Sequence, residues 1–284
     1  MNGRGLITSR HNPLAKFVRS LAGKKAREQT GRFVVEGVRL LEEALEAALK
    51  PGSGFKLEVV LYAPSRLATD RGMALIHSLR RAGVEIVPAA EPVMEYISDT
   101  SSPAGVLGVV QHLFHEPAGP PDTASRPFVL VLDQIQDPGN LGSLLRTAEA
   151  AGVSEVWVLT GSADCFSPKV VRATMGSIFR LPLRLKVVPG ELSDLSARGI
   201  TVYGTARGRG ESLFKTVFPR PLAVVLGSEA QGMSPELESR VDGWVHIPMA
   251  GEVESLNVAA AGALVLYEIA RQHGLLEHDF RDVL

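Results

Sequence analysis

The second half of this chain alternates short apolar, β-branched runs with stretches whose apolar residues recur at helical spacing. The runs fall at 128–133, 155–159, 181–187, 200–205, 222–226 and 243–247. The helical stretches fall near 141–151, 168–175, 191–198, 234–241 and 256–272. Strict alternation of this kind leaves few folds open, because each helix must cross over a sheet to reach the next strand. The pattern predicts a parallel sheet with covering helices. Ser234-Pro235-Glu236 marks one helix start, with serine as cap and proline in the first turn.

The first half alternates too, with a different content. Residues 12–30 read as one basic helix with Leu14, Phe17, Val18 and Leu21 on its apolar side. Strands follow at 32–35, 57–62, 84–87 and 106–111, with helices at 38–49, 73–81 and 92–97. Residues 113–127 break the pattern. Glu116-Pro117-Ala118-Gly119-Pro120-Pro121-Asp122 can hold neither a helix nor a central strand. At 284 residues two domains are expected, 1–112 and 128–284, joined by a 113–127 linker. Charge is unevenly shared between them. Residues 1–32 carry eight Lys or Arg and one acid, a net +7, so the remainder of a chain of net charge −1 carries −8. A basic end on a neutral protein suits a polyanionic partner. A solvated basic helix is the alternative.

Three strand ends lead into blocks of glycine and polar residues. One is Asp137-Pro138-Gly139-Asn140-Leu141-Gly142, running on to Arg146-Thr147-Ala148. The next is Leu226-Gly227-Ser228-Glu229-Ala230-Gln231-Gly232. The last is Ile247-Pro248-Met249, followed by Glu254-Ser255-Leu256-Asn257-Val258. Ligands of open α/β sheets bind outside the carboxyl ends of the strands, so three such turns can share one pocket. Asn140 suits a helix cap, a pocket mouth, or both. Arg146 lies about 140° round the helix from Leu141, off the stripe of Leu141, Leu144, Leu145 and Ala148. That placement reads as a solvent-facing arginine. Glu229 sits in a turn whose flanking glycines permit close approach of a ligand. Ser255 and Asn257 read as caps of the helix that follows.

In this order the blocks resemble the three signature motifs of the SpoU family of RNA 2′-O-ribose methyltransferases, in the SPOUT superfamily. N-x-G-x-x-x-R-T-A stands at 140–148, G-x-E-x-x-G at 227–232 and I-P-M…S-L-N-V at 247–258. The resemblance covers roughly residues 128–272. A less specific likeness links the first hundred residues to the substrate-binding domain often fused in front of this family. It rests on Ser9-Arg10-His11-Asn12-Pro13, Phe33-Val34-Val35-Glu36-Gly37 and Ser98-Asp99-Thr100…Pro103-Ala104-Gly105.

The resemblance implies an α/β fold with a small N-terminal substrate-binding domain and a C-terminal SPOUT domain, whose parallel sheet carries a trefoil knot. It implies S-adenosyl-L-methionine as cofactor and RNA as substrate, ribosomal rather than transfer RNA. It places Asn140, Arg146, Glu229, Ser255 and Asn257 in catalysis. Thr205, Ala206, Leu226, Gly227, Ile247, Met249, Ser255 and Leu256 would line the adenosine pocket. Guanidinium holds its proton near neutral pH, so a positioning role suits Arg146 better than a general base. Arg10, Lys16, Arg19, Lys24, Lys25, Lys169 and Arg172 are the candidate RNA contacts, the last two within a second basic cluster that includes Arg180 and Arg184. Two other functions stay open, a non-catalytic RNA-binding relative in ribosome assembly and a transfer RNA ribose methyltransferase. A dinucleotide enzyme is disfavoured, since no G-x-G-x-x-G follows a strand.

Bulk features narrow the setting. The single cysteine, Cys165, leaves no intramolecular disulfide and suits a reducing cytoplasm. No Cys or His cluster suggests a metal. The first residues lack the apolar core of a signal peptide. The longest apolar run, Val258 to Tyr267, is too short to span a bilayer. The helix from Val258 to Ala270 is apolar on almost every side, which implies all-round burial in a deep core or a homodimer interface.

Overall fold

The computed structural model describes residues 5–113, 126–228, 232–251 and 255–276. Along the chain run α1 (Pro13–Ser20), α2 (Lys24–Thr30), β1 (Arg32–Glu36), α3 (Val38–Leu49), β2 (Phe55–Tyr62), α4 (Asp70–Arg81), β3 (Glu85–Pro88), α5 (Glu91–Ile97) and β4 (Val106–His112). Then come β5 (Phe128–Leu132), α6 (Pro138–Ala150), β6 (Glu155–Leu159), α7 (Pro168–Thr174), β7 (Leu183–Val187), α8 (Ser193–Ala197) and β8 (Thr201–Thr205). The last are β9 (Glu211–Ser212), β10 (Leu222–Leu226), α9 (Pro235–Glu238), β11 (Gly243–His246) and α10 (Val258–Gln272). The chain divides into two compact units, one of residues 1–115 with 164–179, the other of 116–163 with 180–284. Residues 164–179 thus lie between β6 and β7 in sequence yet group with the first unit.

The first unit is built on a four-stranded sheet of order β1-β4-β2-β3 among the described residues. Its one parallel pair is β2 with β3. The basic stretch expected as one helix is two, because Gly23 takes an extended backbone (φ −85°, ψ 134°) and starts α2 afresh. One basic residue of that stretch, Arg27, turns inward. Arg27 is 5% exposed. It pairs with Asp164 at 2.8 Å and donates to the Leu21 and Ala22 carbonyls at 2.7 Å. Arg32 forks onto Glu58. The aromatic rings of Phe33, Phe55, Phe166 and Phe179 pack together, with Phe33 to Phe166 centroids 4.8 Å apart. Burial, then the charge of Asp164, pushes the Cys165 thiol up to about 12.

Glu36 explains why two separated motifs go together in this unit. Its carboxylate accepts from Ser98 Oγ at 2.8 and 2.9 Å, from Thr100 Oγ1 at 3.3 Å and from the Ala104 amide at 3.1 Å. The F-V-V-E-G strand end therefore anchors the S-D-T…P-A-G loop.

The second unit holds a seven-stranded parallel sheet among the described residues, of order β7-β6-β5-β10-β8-β11-β9. All five residues of β5, β6 and β10 are buried, as befits central parallel strands covered on both faces. Alternate residues decide which helices they meet. Val129, Val131, Ala223 and Val225 pack with Leu192, Leu195 and Leu237, under α8 and α9. The opposite face carries Leu226 beneath α10 and α6. A Cβ on Gly262 of α10 would lie 2.4 Å from a Leu144 methyl and 2.9 Å from a Leu226 methyl, so glycine there sets how closely the helix docks. Within the single chain α10 is buried on one face. Val258, Gly262, Val265, Leu266, Ile269 and Ala270 are buried, but Leu264 is 42% and Tyr267 44% exposed. Among the described residues no helix is long and apolar enough to cross a membrane, and no cluster of His, Cys, Asp or Glu could hold a metal ion.

Candidate active site

A cavity of about 450 Å³ opens at the carboxyl ends of three neighbouring strands, β8, β10 and β11. That volume is typical of small-molecule sites. Thr205 and Ala206 line it from the end of β8, and Leu226, Gly227 and Ser228 from the end of β10. Ile247 and Met249 line it from the end of β11, and Ser255 and Leu256 from the approach to α10. All eight residues assigned from sequence to an adenosine pocket thus border one space. Sequence reasoning missed Arg207, Ser228, Gly232, Val245, His246, Val258, Ala261 and Val265, which also line it. Val258, Ala261 and Val265 recur at helical spacing on the inner face of α10, a signal that was there to be read. His246 gave no such signal. Its Nδ1 is buried without a hydrogen-bond partner among the described residues.

The walls are held locally. Ser228 and Gly232 exchange backbone hydrogen bonds of 2.8 and 2.9 Å, closing the turn of the second block. Gly232 sits at φ +71°, where a side chain is strained. A Cβ on Gly227 would fall 2.4 Å from the Gly232 carbonyl, so the turn closes only over glycine. Glu229 lies outside the described residues. Thr205 Oγ1 donates to the Val225 carbonyl at 3.0 Å, tying β8 to β10 at the cavity edge.

The starts of α6 and α10 meet beside this cavity. Asp137, rather than Asn140, caps α6, its carboxylate accepting from the Asn140 amide at 2.8 Å. Asn257, rather than Ser255, caps α10, its Oδ1 accepting from Ala259 and Ala260 amides at 3.0 and 3.4 Å. Its Nδ2 donates to Asn140 Oδ1 at 3.0 Å, so the two asparagines join. Arg146 is exposed, does not line the cavity, and makes no hydrogen bond or ion pair among the described residues.

The basic candidates divide. Arg10, Lys16, Arg19, Lys24, Lys25 and Lys169 are exposed and Arg172 is half-buried, all in the first unit. Arg180 and Arg184 belong to the second unit. Arg180 pairs with Glu149, and Arg184 pairs with Glu191 and stacks 4.4 Å from the Trp157 ring.

Residues 127–267 match the SpoU rRNA Methylase family, and residues 12–108 the MRM3-like substrate binding domain. The chain is 32% identical to the 23S rRNA (guanosine(2553)-2'-O)-methyltransferase RlmP of Bacillus subtilis (strain 168), over 93% of this chain and 98% of that one. The chain belongs to the SpoU rRNA methylase family. A second relative is the 23S rRNA (uridine(2479)-2'-O)-methyltransferase of Streptomyces viridochromogenes, 32% identical over 94% of this chain and 92% of its own length. The SpoU methyltransferase AviRb of Streptomyces viridochromogenes, solved with the cofactor AdoMet, superposes with a TM-score of 0.80 at 30% identity. That likeness spans 93% of this chain and 98% of AviRb.

Proposed function

We infer that this protein is an S-adenosyl-L-methionine-dependent RNA methyltransferase whose acceptor is a ribose 2′-hydroxyl, in ribosomal RNA. One observation carries the site assignment. Eight residues chosen from sequence, two at the end of β8 and six from the second and third motifs, line a single cavity at the ends of adjacent parallel strands. The residues present suit the cofactor, since walls of glycine, alanine and apolar side chains fit an adenosine, and Ser228 and Ser255 offer hydroxyls. The bound cofactor supplies a methyl group already activated on sulfonium. The protein has chiefly to align the acceptor, and alignment alone contributes on the order of 7–11 kcal/mol. The bonded pair Asn140 and Asn257 fixes two helix starts beside the cavity. Arg146 serves by gripping a substrate phosphate and polarising the hydroxyl. The first unit serves as the RNA-binding domain.

The partner we propose for the exposed face of α10 is a second copy of the chain. Leu264 and Tyr267 offer water an apolar stripe on the helix that also walls the cavity. The trefoil knot and a cytoplasmic setting belong to the same reading. They are supported by the motif order and by the single cysteine of the sequence.

Two measurements test these assignments. Calorimetry should detect S-adenosylhomocysteine binding to the full chain, and ribose-methylation mapping should find one site missing from ribosomal RNA of cells lacking the protein. A chain that binds no S-adenosylhomocysteine and leaves every methylated ribose in place would end the proposal. Light scattering should report a dimer, and Leu264→Glu with Tyr267→Glu should give a monomer. A wild-type monomer with full activity would refute the interface.

A further inference from the structure

Lys16 and Arg19 are separated from Lys169 and Arg172 by some 150 positions of sequence. The fold of the first unit makes them neighbours. The Arg19 guanidinium donates to the Ser98 carbonyl at 2.9 Å, and that of Arg172 to the Asp99 carboxylate at 3.4 Å. Both arginines are therefore tethered to consecutive residues of one loop. Glu36 holds that loop through Ser98, Thr100 and Ala104. A small crevice confirms the adjacency, lined by Val18 and Ala22 beside Pro168 and Arg172. So α1 and α7 lie side by side, and the sequence neighbours of the crevice residues, Arg19 and Lys169, are exposed at its edges.

We propose that α1 and α7 form one composite face that grips the phosphodiester backbone of the substrate RNA, with Lys16, Arg19, Lys169 and Arg172 as its cations. The inference rests on the RNA methyltransferase reading above. It is selective about which basic residues take part. Arg27, Arg32, Arg180 and Arg184 are already engaged with acidic side chains of their own units. Lys24 and Lys25 are exposed on α2 and do not line the crevice. The Arg172 to Asp99 pair is long and partly exposed, so it contributes little and can give way to a phosphate. A polyanion with many phosphates matches cations drawn from two adjacent helices better than a compact anion does. Each phosphate contact also releases counterions, which gives the face a measurable signature.

The test uses the full-length protein and a transcribed large-subunit ribosomal RNA, with affinity measured across a range of KCl concentrations. Lys16→Gln and Lys169→Gln should each flatten the log–log salt dependence by roughly 0.7–0.9, and the double variant by about twice that. S-adenosylhomocysteine affinity should stay at the wild-type value in all three, which shows the fold intact. A wild-type slope in Lys169→Gln, with a reduced one in Lys16→Gln, would confine the footprint to α1 and overturn the composite face. A reduced slope in Lys169→Gln alone would overturn it equally. Absence of salt-dependent binding in the wild type would instead overturn the RNA reading, and this face with it.

Discussion

Arg146 and Asn257 separate two kinds of site residue. Arg146 is exposed and makes no hydrogen bond or ion pair among the described residues, so removing it disturbs little of the fold. Arg146→Ala should lower kcat by on the order of 10²–10³, the usual loss for a positioned charge-stabilising donor. S-adenosylhomocysteine affinity should not change. Arg146→Lys should fail as well, because an ammonium cannot reproduce the planar fork. Near wild-type turnover in either variant would remove Arg146 from catalysis. Asn257 has two jobs at once, a cap through Oδ1 and a bond to Asn140 through Nδ2. Asn257→Ala loses both and should cost about 0.5–2 kcal/mol of stability. Asn257→Asp keeps the cap but sets two acceptors against each other. It should melt like the wild type in a thermal scan while turnover falls, and equal turnover would show the asparagine pair to be structural only.

At the scale of elements, the turn between Ser228 and Gly232 is the least tolerant wall of the cavity. Gly227→Ala should weaken S-adenosylhomocysteine binding at least tenfold, about 1.4 kcal/mol, because the new methyl has no room beside the Gly232 carbonyl. Unchanged affinity by calorimetry would mean that the turn adapts. Most elements were legible in the sequence, and the reason is local. The strands β5, β6 and β10 are fully buried, and apart from Glu155 at the start of β6 their runs are apolar at every position. The motif glycines and prolines marked where the strands stop, which is why the cavity lining could be named in advance. Other features hang on information that periodicity does not carry. The break at Gly23 is a single backbone choice within a basic helical pattern. Which of Asp137 and Asn140 caps α6 depends on one helical turn of phase, since both residue types cap well. The exposed stripe of α10 is as apolar as its buried face, so no polar residue betrayed it.

For the molecule as a whole, the grouping of residues 164–179 with the first unit matters most. His112 stacks on Phe166 of that segment, with centroids 4.5 Å apart and the rings 8° from parallel. Burial lowers the pKa of His112 from its ordinary 6.5, with the charge of Asp164 opposing. The unfolded chain therefore takes up this proton first as the pH falls. The stability contributed by the neutral ring is complete above about 6.5 and is lost as the pH drops below that value. His112→Phe keeps a stacking ring without the titration. The drop in Tm between neutral and mildly acidic buffer should be smaller in that variant, and an identical drop would exclude His112 as the sensitive group. The same segment also governs order of events on the ribosome. Phe33 and Phe55 are synthesised early, but Phe166 and Phe179, which close over them, come more than a hundred residues later. At translation speeds of about 5–20 residues per second, the amino-terminal unit waits several seconds for its last piece. In that interval two of the seven strands of the other sheet, β5 and β6, are already made. The nascent chain must therefore keep an aromatic surface open while a second core begins to form around it, a task suited to a holding chaperone.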